Sequence, residues 1–134
     1  MAYLTTIENV FDAWATAMSE TAFGENVYFE RPDDQMKLPS ACMFPLPSNE
    51  LGYDLDNAAS GVDLALQIDV FVRATAKLSE AYALHELSHN AMTAMGFRAA
   101  TPTIEMPQSG YKRLITRYAR VIGYGEPIAN TTED

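Results

Sequence analysis

Between Val62 and Arg73 the chain alternates without a break. Val62, Leu64, Leu66, Ile68, Val70 and Val72 are apolar, while Asp63, Ala65, Gln67, Asp69, Phe71 and Arg73 between them are mostly polar. Successive side chains of a strand point to opposite sides, so the spacing predicts one strand with an apolar face, in a sheet covered on one side only. At about twice the usual strand length, it is expected to project beyond its neighbours.

The period changes elsewhere. Ile7, Val10, Phe11, Trp14, Ala17 and Met18 recur at three- and four-residue spacing, which predicts an amphipathic helix over 5–22. Thr5 and Glu8 fit a capping box at its start, and Gly24 supplies a left-handed stop. A second helix is predicted over 74–95, ended by Gly96. Its core arc is Ala81, Leu84, Ser88, Ala91, Met92 and Met95, with Leu78, Tyr82, His85 and His89 at the margin and Glu86, Asn90 and Thr93 on the polar side. Short strands are predicted over 26–31 and 40–44, and further strands near 97–106 and 112–122. Residues 45–60, with Pro45 and Pro47, read as a long loop. The order α-β-β-β-α-β-β predicts an α+β fold, a mostly antiparallel sheet with two main helices packed on one face. We expect a single domain over 1–122 and a loose acidic C-terminal tail over 123–134.

Charge narrows the range of partners. Nine Lys and Arg against eighteen Asp and Glu give a net charge of −9, a surface that repels phosphate and disfavours nucleic-acid binding or adsorption to an anionic membrane. The chain shows no signal-peptide pattern and no run of 18 or more apolar residues, so no membrane partner is expected. Cys42 is the single cysteine, within the apolar run Ala41–Phe44, and reads as a buried reduced thiol from a reducing compartment.

One motif carries possible chemistry. His85-Glu86-Leu87-Ser88-His89 matches the H-E-x-x-H pattern of zinc metallopeptidases on a predicted helix, where the two histidines share a face and the glutamate can act as base. A catalytic zinc needs a third protein ligand, yet the chain has only these two histidines, and the next acid, Glu105, falls in a predicted strand. Three fixed positions also arise by chance. We therefore expect no catalytic residues, metal or other cofactor, and keep a small zinc peptidase (His85, His89, with Glu86 as base) as the alternative. Asp54 to Asn57 resembles part of a calcium loop, but lacks the glycine and closing glutamate. Lys112, Arg113, Arg117 and Arg120 are expected to pair with acids of a neighbouring strand or subunit.

The layout resembles the tail-terminator (tail-completion) proteins of long-tailed bacteriophages. The features that carry the likeness are the N-terminal helix, the long strand Leu64–Val72, the helix ending Ala91-Met92-Thr93-Ala94-Met95-Gly96-Phe97-Arg98, and the closing strand Tyr111–Tyr118. The resemblance spans residues 5–122, and the Met-Gly-Phe-Arg step is its most characteristic piece. It implies a homo-oligomeric ring of six that caps the tail tube protein and joins it to the head-connector or neck protein. DNA would pass through the pore without specific binding. The place implied is the head-proximal end of the virion tail, after synthesis in the host cytoplasm. A head-proximal neck or adaptor subunit is the close variant. Leu78, Tyr82, His85 and His89 form a stripe wider than one core requires and are the subunit-interface candidates. The 45–60 loop is the candidate tube-contacting or pore-facing segment.

Overall fold

The chain runs α1 (Ala2–Met18), β1 (Val27–Phe29), β2 (Ser40–Pro45), β3 (Asn49–Leu51), β4 (Gly61–Arg73), α2 (Leu78–Ala94), β5 (Arg98–Ala99), β6 (Thr103–Glu105) and β7 (Tyr111–Gly123) in a computed structural model. The structure describes residues 2–29, 37–52, 59–100, 103–105, 111–126 and 128. The strands form one sheet in the order β1-β2-β4-β7-β5, with β3 also on β4 and β6 also on β7. Only the β1–β2 pair is parallel. This is the expected α+β class, with one strand more before α2 and one more after it than the sequence order predicted.

The alternating segment is the centre of the sheet. Val62, Leu64, Leu66, Ile68, Val70 and Val72 are all buried and share one core with Ile7, Val10, Trp14 and Met18 of α1 and Ala81 and Met92 of α2. Both helices therefore lie against the same sheet face. The strand does not project, because β7 is equally long and pairs with it from Gly61↔Gly123 to Arg73↔Tyr111. Its other edge is shared by β2 along 66–71 and β3 along 61–63. Between those two, the Ala65 carbonyl accepts from Leu46 N–H at 2.9 Å and the Ala65 N–H donates to Ser48 Oγ at 3.0 Å. The expected 45–60 loop is thus partly a strand, and its stretch 53–58, including Asp54 to Asn57, lies outside the described residues.

The opposite sheet face is not open either. Ser40, Cys42, Asp69 and Phe71 alternate onto it and are buried, with Asp69 3.4 Å from Arg113 and Phe71 edge-on to Tyr111 at 5.3 Å. The exposed residues that β4 and β7 present on this face are Arg117 and Val121 at one end and Arg73 at the other, while Phe44, Gln67, Tyr111, Arg113 and Ile115 are half-buried. One-sided covering, inferred from the alternation, therefore fails at Ser40, Cys42, Asp69 and Phe71 and holds around Arg117 and Val121.

Helix boundaries shift for local reasons. α1 begins at Ala2, so Thr5 and Glu8 stand inside it and cap nothing; the Thr6 hydroxyl donates back to the Ala2 carbonyl at 2.8 Å. It ends at Met18, whose carbonyl accepts from the Thr21 hydroxyl at 2.7 Å, and Gly24 (φ 56°) serves the following turn instead. Residues 74–77 are a turn, and α2 starts at Leu78. Its end is a Schellman motif: Gly96 (φ 87°) N–H donates to the Thr93 carbonyl at 2.9 Å and Phe97 N–H to that of Met92 at 3.1 Å. The domain also continues past 122. Glu126 accepts from Gly123 N–H, the Tyr124 hydroxyl donates to Glu50, and Ile128 is buried. Residues 129–134 of the expected tail lie outside the described residues. No helix among the described residues is long and apolar enough to cross a membrane.

Candidate functional site

α2 is held from two sides, by the sheet beneath it and by α1 beside it. Its buried residues are Ala81, His85, Ser88 and Met92, while Leu84 and Ala91 are half-buried. The buried arc is therefore rotated towards His85. Expected at the helix margin as an interface candidate, His85 is instead only 8% exposed. That flank is turned towards β7, where His89 reaches Tyr118, whereas on the other flank Ala91, Ala94 and Met95 line a groove shared with Ala13, Thr16 and Ala17 of α1, leaving Ala91 half-buried and Ala94 exposed.

A polar seam runs through this apolar layer. The Trp14 indole N–H donates to Ser88 Oγ at 2.9 Å. Four residues on either side of His85, the helix repeats its face, and the His85 and His89 rings stand 5.6 Å apart, tilted by 34°. His89 Nδ1 is 3.2 Å from the Tyr118 hydroxyl, which β7 presents from the core face opposite Leu66. Burial pushes the Tyr118 phenol well above the ordinary tyrosine range, so the phenol is neutral. Burial also lowers the His85 pKa, reinforced by His89 and opposed by Glu86, so His85 is held neutral.

The zinc-peptidase alternative needs a further ligand beside the two histidines. Its two imidazoles and a third protein ligand must meet at the metal, with the glutamate reaching the metal-bound water. Here His89 Nδ1 faces the Tyr118 hydroxyl, which leaves Nε2 as the nitrogen open to a metal, and Glu86 is on the exposed side of α2. Among the described residues, no group of three or more His, Cys, Asp or Glu side chains could hold a metal ion.

The other interface candidates stay outside. Leu78 is 52% and Tyr82 40% exposed, on the α2 flank that carries the half-buried His89 towards β7. The basic run of β7 does not form one stripe, because strand alternation divides it between the two faces. On the helix side, Lys112 Nζ donates to the Ala76 carbonyl at 2.7 Å, and Arg120 donates to the Met95 carbonyl at 3.0 Å and pairs with Glu126. On the other side, Arg113 pairs with Asp69 and Arg117 donates to Gln67 Oε1 at 3.3 Å. Pairing with an acid of a neighbouring strand thus holds for Arg113, whereas Lys112 and Arg120 close the ends of α2.

The sequence reading missed two parts of this arrangement. The Trp14–Ser88 bond was not foreseen, although a serine in the core arc of α2 was its signal. The groove between Phe11 and Phe29 was also missed; it is lined by Glu8, Phe11, Asp12 and Phe29, with the two rings edge-on at 5.5 Å. No protein-family model matches the chain, and comparison with curated proteins finds no significant match.

Proposed function

We propose that this protein is a structural virion subunit, a tail terminator that caps a phage tail tube as a ring and joins it to the head connector. The observation that carries this reading is the arrangement of elements: an N-terminal helix and a second helix on one face of a mostly antiparallel sheet, with the second helix and two short strands lying between its two longest strands in the chain. That arrangement supports the resemblance drawn from residues 5–122. Two further features agree with it. The net charge of −9 suits a pore wall that DNA passes without adhering, and the exposed Leu78 and Tyr82 offer an apolar flank for assembly.

Native mass spectrometry of the concentrated protein, alone and with cognate tail tubes, tests the proposal. The expected species is a closed ring of six without stoichiometric metal. A chain that stays monomeric in both conditions overturns the reading. A ring that binds the connector but not the tube reassigns the subunit to the neck, and a zinc-bearing monomer whose hydrolytic activity is lost in Glu86→Gln replaces it with the peptidase.

A further inference from the structure

Charge is distributed very unevenly along this chain. Residues 1–30 contain no Lys or Arg, but include Glu8, Asp12, Glu20, Glu25 and Glu30; seven of the nine basic residues fall between Arg73 and Arg120. The fold turns this asymmetry into two separate surfaces. At the β1 end of the sheet, α1 and β1 form the groove with Phe11 and Phe29 as floor and Glu8 and Asp12 as rim. Phe29 is 40% exposed there, and among the described residues neither Glu8 nor Asp12 has an ion-pair partner. Towards the β7 end, α2 exposes Leu78 and Tyr82. Three cations gather at the N-terminal end of that helix. Lys77 immediately precedes it, Arg73 lies 3.8 Å from Glu80 in its first turn, and Lys112 Nζ sits on the Ala76 carbonyl.

We propose that the chain associates head to tail, with the Lys77–Leu78–Tyr82 flank of one copy seated in the Glu8–Phe11–Asp12–Phe29 groove of the next. This specifies the interface of the ring and rests on the assembly reading above. The groove has an apolar centre with an acidic rim, and the flank an apolar centre at a net basic helix end, where Arg73, Lys77 and Lys112 outnumber Glu80 and Glu86, a combination that gives register as well as contact. Tyr82 would lie against the Phe11 and Phe29 rings with its hydroxyl towards a rim carboxylate, a role in which tyrosine recurs as an interface anchor. Because the surfaces lie on opposite flanks of the helical layer, neither can satisfy the other within one copy. Two different patches on one subunit make a heterologous contact, which propagates and closes when the rotation per copy divides a full turn.

The test uses two charge-reversed full-length variants, Glu8→Lys/Asp12→Lys and Arg73→Glu/Lys77→Glu, followed by analytical ultracentrifugation with the wild type. Each variant alone is expected to self-associate at least about 30-fold more weakly, because it sets like charges against each other across the contact. An equimolar mixture is expected to reassemble into alternating complexes, because every contact then again joins a basic to an acidic rim. Such rescue also shows that both variants are folded. If the wild type forms rings and either variant alone does so equally well, this contact is wrong while the ring reading stands. If the wild type forms open chains that the variants abolish and the mixture restores, the contact stands and the ring reading fails. A wild type that remains monomeric at high concentration overturns the contact, as does a mixture that fails to reassemble.

Discussion

The Trp14 indole donates its N–H to the Ser88 hydroxyl at 2.9 Å, and this bond ties α1 to α2 inside a mostly apolar layer. Both residues are fully buried, so water cannot replace either partner. Ser88→Ala leaves the indole N–H without its acceptor and is expected to cost about 1–3 kcal/mol of stability. Trp14 is the only tryptophan, so its fluorescence during urea unfolding reports the site directly. An unchanged unfolding midpoint would show that this bond contributes nothing.

His85 gives the stability a pH dependence of known sign. Its pKa is lowered in the folded state, chiefly by burial and next by His89, so the unfolded chain binds the extra proton first as pH falls. The contribution is complete above the ordinary imidazole value of about 6.5 and is lost progressively below it, towards the lowered folded-state pKa. His85→Gln removes the titration. Urea midpoints from pH 7.5 to 5.5 are expected to fall more steeply for the wild type than for the variant; parallel curves would contradict the assignment.

Gly61 stands against β7 at a point with no room for a side chain. A Cβ there would lie 2.7 Å from the Ile122 carbonyl oxygen, and backbone cannot move aside as a flexible side chain would. Gly61→Ala is expected to destabilise the protein by about 1–3 kcal/mol, as overpacking does elsewhere. Hydrogen exchange should localise the loss of protection to the Gly61–Asp63 and Val121–Gly123 ends of β4 and β7.

Asp69 and Arg113 join the same strands on the other face. The Asp69 carboxylate is almost wholly buried, and the arginine is 3.4 Å away with a quarter of its side chain exposed. Removing one partner of a buried pair leaves a charge that the interior compensates less well. Arg113→Met is expected to cost about 3 kcal/mol, read as a lower thermal midpoint. Arg117→Met, on an exposed side chain bonded to Gln67, should shift it by less than about 0.5 kcal/mol.

The elements most legible in the sequence were those whose hydrophobic period is governed by a single neighbour. The Val62–Val72 alternation reads directly because one core face touches all six apolar side chains. α2 was legible as a helix but not in its rotation, because two neighbours bury it and composition does not say how its apolar arc is divided between them. That division decides the fate of His85, so the burial of one interface candidate was beyond sequence reasoning. β3 escaped for another reason. Asn49, Glu50 and Leu51 are exposed, and only the free edge of β4 makes them a strand. The Met95-Gly96-Phe97 step, the most distinctive part of the family resemblance, has a local explanation in the Schellman stop. It therefore fixes where α2 ends more firmly than it fixes ancestry.

The full-length pairing of β4 with β7 also dictates when the protein becomes whole. β4 emerges from the ribosome carrying six core side chains, yet its main partner lies beyond α2 and two further short strands. Until residue 123 is clear, the nascent chain holds a long apolar strand with one edge waiting, the condition under which non-local sheets form slowly and stray contacts compete. Synthesis must run nearly to the end of β7 before the sheet can close, so a polypeptide stopped at α2 is an aggregation-prone fragment and not a smaller folded protein.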